Sequence, residues 1–487
     1  MNIQRLNTTF YHITGTETEI DNIRRLFTIE DKSAYFNPLV KRGLKSPYVT
    51  FYKVWNKGLV IPSGFLQYLG FKNTFKYNFD EKEIQDHIDL IQSKLSFKFY
   101  DYQIKCIKES LKNLQQLSLA ATGSGKSVMI ATICSFLHSK GLKGLILVPN
   151  ISLTKQFDND LKSYNIFIDT LLIGGENNIK NLDHNLTIGT WQSVQKIENI
   201  NVDYIIVDEA HGLKLNTKMV EIVYNSTAEI RLGFTGTLPD DNISKMSLVS
   251  AVGKPIRYVR TQDLINLGLA TPVNVNVIEL RYPYEDYQVF KYLNVYSQRL
   301  KFIKEYKPRN ELIAKLSKKI NGNSVIMCSH IDQMKTLFQI LTNSDNIEKD
   351  VKDFEYQKQK DVYYIDGNIK PKIREQIITE LKEAGNSVLI SNYQLFSTGL
   401  NIKALRNIIF ASPLKSYTSI TQSIGRAIRL HISKNSAEIY DLVDDISARG
   451  KSGIFYRQFK ERLEKSYEPE GFPIQYSTFN FKSSNAF

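Results

Sequence analysis

The amino-acid sequence predicts an α/β protein in which two parallel-sheet domains stand in tandem behind a small mixed α/β N-terminal domain. Three observations carry that reading. From about residue 86 short apolar strands alternate with helical stretches; the same alternation starts afresh near residue 309; and the residues before about 85 have a different, basic and aromatic composition.

Between Lys32 and Lys76 stand eight basic residues and no Asp or Glu, interleaved with ten aromatic ones, among them Tyr35, Phe36, Trp55 and Phe65. The segment YVTFYKVWNKGLVIPSGFLQYLGF reads as a strand, a turn and a short strand, followed by an aromatic-rich element. Two readings of this domain stand side by side. Its aromatics build a mini-core under solubilising lysines, or its face grips nucleic acid through side chains such as Lys41, Arg42 and Lys45.

In the first alternating block LSLAA precedes a glycine-rich turn and SVMIATICSFLHS makes a largely buried helix. LKGLILVP, LTIGT and VDYIIVDE are apolar strands, as a parallel sheet covered on both faces requires. Residues 240 to 308, with TPVNVNVIELRYPYEDYQVF, form a basic and aromatic connection that partly completes this domain. In the second block RNELIAKLSKKI puts Leu312, Ile313, Leu316 and Ile320 on one helical stripe, and SVIMC, DVYYI, SVLIS, RNIIFA and EIYDLV follow as strands. The tail opens with a helix and ends polar and aromatic. The expected domains are therefore 1–85, 86–295, 296–450 and 451–487.

With 487 residues, 42% hydrophobic and 11% aromatic, the chain has material for several cores, which excludes a disulfide-stapled module or a short disordered regulator. Lys and Arg outnumber Asp and Glu by 63 to 50, a net +13 that favours a polyanionic partner, nucleic acid or an anionic membrane surface. Cys106, Cys134 and Cys328 are widely separated and read as free thiols of an intracellular protein, with neither a disulfide framework nor a zinc spacing. No apolar run approaches the roughly 20 residues that span a bilayer. The N-terminus MNIQRLNTTFYHITGTE has no signal-peptide core. The expected compartment is the cytoplasm, within an infected bacterial cell if the protein is viral.

The strongest local signal is AATGSGKS, residues 120 to 127, at a strand-to-helix junction. It is a Walker A loop in which Ala120 replaces the first glycine. Gly123 and Gly125 let the backbone wrap so that N–H groups of Thr122, Ser124 and their neighbours face phosphate oxygens at a helix N-terminus. Lys126 adds a charge for the β- and γ-phosphates, and the Ser127 hydroxyl is a ligand for Mg2+. Further on, VDYIIVDEAH delivers Asp208 and Glu209 from the end of an apolar strand, the first to hold the metal and the second to polarise the attacking water. His211 either links this site to the following TGT segment or makes an ordinary structural hydrogen bond.

In the second block TQSIGRAIRL places Gln422, Gly425, Arg426 and Arg429 three or four residues apart, on one helical face. The permanently charged, planar arginine side chains suit the negative charge of a transferring phosphoryl group.

In order along the chain, YDYQ, AATGSGKS, VPNISLTKQF, GTWQSV, VDEAH, FTGT, SVIMCSH, LFSTGLNIKALRNIIF and QSIGRAIR resemble the motifs of superfamily 2 helicases and translocases over about residues 90 to 445. DEAH with GTWQSV and the small basic N-terminal domain is most similar to the bacteriophage UvsW-type recombination helicases. The resemblance implies two RecA-like domains that use ATP with Mg2+, with Gln103 on the adenine edge and Tyr102 nearby. It implies that Thr235 and Thr237 couple nucleotide state to the nucleic-acid track and that Gly399 lies in the loop sensing the interdomain cleft. Pro149, Thr190, Gln192 and Ser193 fall where such proteins meet the strand backbone, with Ser329, His330, Ser391 and Ser397 as further contacts. Asn401 departs from the aspartate frequent in its loop. The implied partner is DNA, forked or four-way, together with recombination or replication proteins and no membrane. An RNA helicase, a restriction-system motor and a non-enzymatic nucleic-acid-binding scaffold are the competing readings.

Overall fold

Strands that are apolar along their whole length can only be buried on both faces, and two seven-stranded, wholly parallel sheets result. The computed structural model describes residues 1–71, 74–174, 182–342, 362–393, 395–396, 402, 404–413, 420–421, 423–425, 430, 434–447 and 450–482. The chain divides into two units, Met1–Val259 and Arg260–Phe487.

In the first unit, the sheet order is Pro255–Val259, Gln115–Ala120, Ile230–Thr235, Tyr204–Asp208, Gly144–Val148, Leu186–Thr190 and Thr170–Ile173. The helix Lys126–Ser139 is buried nearly all round, with nine buried residues from Val128 to Leu137. Because every strand of this sheet runs the same way, Ala120, Val148, Thr190, Asp208 and Thr235 all end at its carboxyl edge, where α/β proteins bind ligands.

The N-terminal part of this unit is an antiparallel sheet in the order Asn2–Arg5, Phe10–Thr14, Gly58–Pro62 and Lys53–Trp55, with the helix Glu17–Leu26 against it. Thr16 and Glu19 form a reciprocal capping box at the start of that helix. Its core of Tyr11, Ile13, Ile20, Ile23, Phe27, Leu59, Ile61 and Phe65 is closed by Val249 from the helix Asn242–Val252, which packs on the seven-stranded sheet. Gly64 approaches the Val249 carbonyl so closely that a Cβ would overlap it. Arg231, fully buried, donates to Thr8 and Thr9 hydroxyls at 3.2 and 2.6 Å. The small domain is therefore fused to the larger sheet rather than tethered to it. Its aromatics divide: Phe51 and Phe65 are core, while Tyr35, Phe36, Tyr48 and Trp55 are exposed.

The second unit orders its strands Val362–Ile365, Val388–Asn392, Asn323–Cys328, Leu405–Phe410, Ala437–Asp445, Val273–Arg281 and Ile474–Asn480. The division at Val259/Arg260 lies upstream of the expected 295/296 boundary. The segment Val273–Arg281 pairs with Ala437–Asp445 over nine residues and so belongs to the second sheet. Beyond 451 the chain adds the helix Ile454–Arg462 and the outermost strand Ile474–Asn480 to the same unit. Two buried ion pairs fasten helices to the interior strand Ala437–Asp445: Arg309 to Asp444 at 2.7 Å and Arg462 to Asp441 at 2.8 Å. Each carboxylate also accepts from a tyrosine hydroxyl, Tyr282 and Tyr467 respectively, so the buried charges are hydrogen-bonded as well as paired. Among the described residues no helix is long and apolar enough to cross a membrane.

Candidate active site

The phosphate loop is built by two glycines in left-handed backbone, Gly123 at φ 85° and Gly125 at φ 80°. A side chain at Gly125 would strike the Gln103 amide, so this turn needs glycine for space as well as for φ. Gln103 is buried; its Nε2 donates to the Ser124 carbonyl at 2.9 Å and its Oε1 accepts the Tyr100 N–H at 3.0 Å. Tyr102 also donates to Ser124 O, at 3.0 Å, and stacks on Tyr100 with centroids 5.8 Å apart. The loop is thus braced from behind by the helix Asp101–Asn113 before any ligand arrives.

Lys126 rests its Nζ 3.4 Å from the Ala120 carbonyl, a weak contact readily exchanged for an anion. The Ser124 hydroxyl is buried without a protein partner. Near Ser127, the Asp160 carboxyl is raised above its usual range by burial, against the opposing pull of the Ser127 and Gln156 side chains. These groups fit a triphosphate: left-handed glycines, an ammonium, helix N–H groups and an orphaned hydroxyl converge on one loop.

Asp208 ends its strand beside them. Burial and the negative Glu209 push its pKa up to about 6, against the pull of Lys126, the Glu209 N–H and His211. That N–H donates to Asp208 Oδ1 at 3.0 Å because Glu209 itself turns into left-handed backbone, φ 50°. His211 Nδ1 lies 3.3 Å from Glu209 Oε2 and 3.1 Å from Thr235 Oγ1. Thr235 in turn donates to Thr237 O at 3.0 Å, and the Thr237 hydroxyl is buried without a partner. A continuous polar chain therefore runs from the acidic pair to the TGT turn. Gly236 of that turn lies beside the phosphate loop: a Cβ at this position would fall 3.6 Å from both Ala120 O and Thr122 Oγ1.

Thr190 and Ser193 are buried and bonded to each other at 3.1 Å, whereas Gln192 is exposed and Pro149 half-buried, all at the same carboxyl edge. Lys41, Arg42 and Lys45 are exposed on the N-terminal sheet's excursion, away from that cluster in sequence and in secondary structure. Gly399, Gln422, Arg426 and Arg429 lie outside the described residues, as does Ser397. Sequence reasoning missed Asp160 and Tyr100. Asp160 stands in an unremarkable polar helix, so no local pattern marks it; Tyr100 was legible as the first residue of YDYQ.

Comparison with known proteins follows the same lines. Residues 96–240 match the family model described as type III restriction enzyme, res subunit, and residues 308–431 match the helicase conserved C-terminal domain. A putative HsdR fragment of a type I restriction enzyme from Vibrio vulnificus YJ016 shares the fold, with a TM-score of 0.57 and 19% identity over 83% of this chain and 72% of that one. The two matches in tandem and the likeness to named helicases make the chain an ATP-dependent helicase of superfamily 2 type. In particular it is similar to the ATP-dependent DNA helicase uvsW of Enterobacteria phage T4, 27% identical over 90% of this chain and 89% of that protein. Putative helicase 22 of a Sulfolobus islandicus filamentous virus is 24% identical over 72% of this chain and 64% of its own length.

Proposed function

We propose that this protein is an ATP-driven DNA helicase or translocase that unwinds or branch-migrates forked and four-way DNA. The observation that carries the motor is the convergence of Lys126, Ser127, Asp208, Glu209 and Thr235 on one sheet edge. Near-full-length similarity to a phage DNA helicase supports DNA over RNA, and the exposed basic and aromatic N-terminal face supports a branched substrate.

Gln103 retains one Nε2 hydrogen and one Oε1 lone pair beyond its two protein bonds, the donor and acceptor that pair with adenine N7 and N6. Lys126 exchanges the Ala120 carbonyl for phosphate oxygens. Ser127 and Asp208 would hold Mg2+, which would supply charge neutralisation at the phosphates. Glu209 orients the attacking water and takes its proton. His211 and Thr235 relay the state of Glu209 to the TGT turn. Arg426 and Arg429 supply positive charge to the transferring phosphoryl group, with Gln422 and Gly399 completing that set. The Pro149, Thr190, Gln192 and Ser193 edge meets the sugar-phosphate backbone through neutral hydrogen-bonding groups.

The test is ATP hydrolysis by the full chain with single-stranded DNA, duplex, forks, four-way junctions and RNA of matched length. DNA stimulation above RNA, greatest with branched DNA, is expected; equal or greater stimulation by RNA would favour an RNA helicase, and none at all a binding scaffold.

A further inference from the structure

An exposed sheet edge offers unpaired N–H and C=O groups to any extended chain, and proteins normally blunt such edges with charge, proline, bulges or short length. Three of the four edges of the two large sheets are blunted here. Pro255–Val259 starts with proline, carries Arg257 and breaks register at Arg257/Val259. Thr170–Ile173 and Val362–Ile365 are four residues each. The fourth, Ile474–Asn480, is different. It is seven residues long, IQYSTFN, without charge, proline or bulge, and exposed from Gln475 to Asn480. Among the described residues no strand pairs with its outer side.

Its hydrogen-bonding direction follows from its two ends. Pro473 O accepts from Val275 N–H and Phe481 N–H donates to Arg281 O, so odd-numbered residues face the sheet. With regular alternation between them, the N–H and C=O groups of Ile474, Tyr476, Thr478 and Asn480 point outward. Beside this edge opens a cavity of about 180 Å³, lined by Arg281, Lys451, Tyr456, Phe459, Tyr476 and Thr478. An added strand would find main-chain partners along the edge and an aromatic-walled recess for one side chain, the two elements of strand-addition recognition. Glu279 pairs with Arg281 at 2.7 Å and Asp445 lies beside Lys451, so Lys460, over the Tyr456 ring, and Lys482 at the strand's end are the surplus charge around the recess.

We propose that the outer edge of Ile474–Asn480 is a strand-addition site for an extended, acid-flanked segment of a partner protein. The surplus lysines complement acidic flanks, and a second copy of this +13 chain would instead bring like charges together.

The test uses the full chain and two fluorescent peptides, Asp-Asp-Val-Thr-Phe-Thr-Val-Asp-Asp and the same sequence with four lysines in place of the aspartates. Thr478→Pro removes one outward N–H and no bond to the sheet, a substitution edge strands tolerate; Thr478→Val keeps the N–H. The acid-flanked peptide is expected to bind at least tenfold more tightly than the lysine-flanked one. Thr478→Pro should weaken it at least tenfold and Thr478→Val less than threefold, with ATPase activity unchanged in both. Absence of binding, equal binding of the two peptides, or undiminished binding by folded Thr478→Pro would overturn the proposal. A wild-type dimer in sedimentation velocity that Thr478→Pro dissociates would also overturn it, assigning the edge to self-pairing.

Discussion

Glu209 occupies left-handed backbone that non-glycine residues seldom adopt, and the turn it makes aims its own N–H at Asp208 while leaving its carboxylate 3.3 Å from His211. Glu209→Gln keeps that shape and removes the base. It should retain ATP affinity and lose at least about a hundredfold in turnover, the scale of general-base catalysis; normal turnover in a folded variant would reassign the water-orienting role. Asp208 carries the pH dependence. Its pKa rises from 3.8 to about 6 on folding, so the native state binds this proton more tightly than the unfolded chain does. The carboxylate therefore costs stability above about pH 6, and the cost fades as pH falls toward 4. Asp208→Asn should stabilise the metal-free first unit by roughly 1–3 kcal/mol at pH 8, gain little at pH 4, and be inactive. Urea unfolding at the two pH values in chelator decides it, and a pH-independent difference would contradict the assignment. Lys126, Asp208 and Glu209 were legible in sequence because their neighbours in the chain are their neighbours in space. Asp160 was not, since only folding brings it to Ser127.

At the scale of elements, the N-terminal excursion between the short strands Thr28–Glu30 and Tyr48–Thr50 is the least conventional piece of the molecule. It leaves Phe36 82% and Leu44 72% exposed next to Lys41, Arg42 and Lys45. Apolar exposure of that size on a segment without acids from Lys32 to Lys76, with Glu30 and Asp31 at its edge, suits phosphate gripping with base stacking. Neutralising Lys41, Arg42 and Lys45 together to glutamine should weaken fork and four-way-junction binding and lower the salt slope by up to about three units. ATPase at saturating single-stranded DNA should be mostly retained. Wild-type junction binding by the folded triple variant would make the patch a solvated surface. Composition exposed this element; its attachment was hidden, because Gly64 against Val249 and Arg231 against Thr8 and Thr9 join residues far apart in sequence.

On the scale of the whole molecule, the doubled α/β alternation was legible because parallel strands buried on both faces announce themselves as apolar runs. The division of the chain was less so. VNVNVIELR alternates like a half-exposed strand, and its partner Ala437–Asp445 lies far downstream; the last strand, polar and exposed, has no apolar signature at all. The arginine proposal also belongs to this scale: Arg426→Ala and Arg429→Ala should each reduce DNA-stimulated turnover more than DNA affinity, and normal turnover in both folded variants would refute it. The most direct measurement is ATP-dependent movement of a synthetic four-way junction with labelled arms, made with the full chain and its Glu209→Gln variant side by side. Wild type should convert the junction to its forked products only with ATP, and Glu209→Gln should bind it without converting it. Hydrolysis of ATP on DNA with no junction movement, or equal conversion by both proteins, would contradict a branch-migrating motor driven from this site.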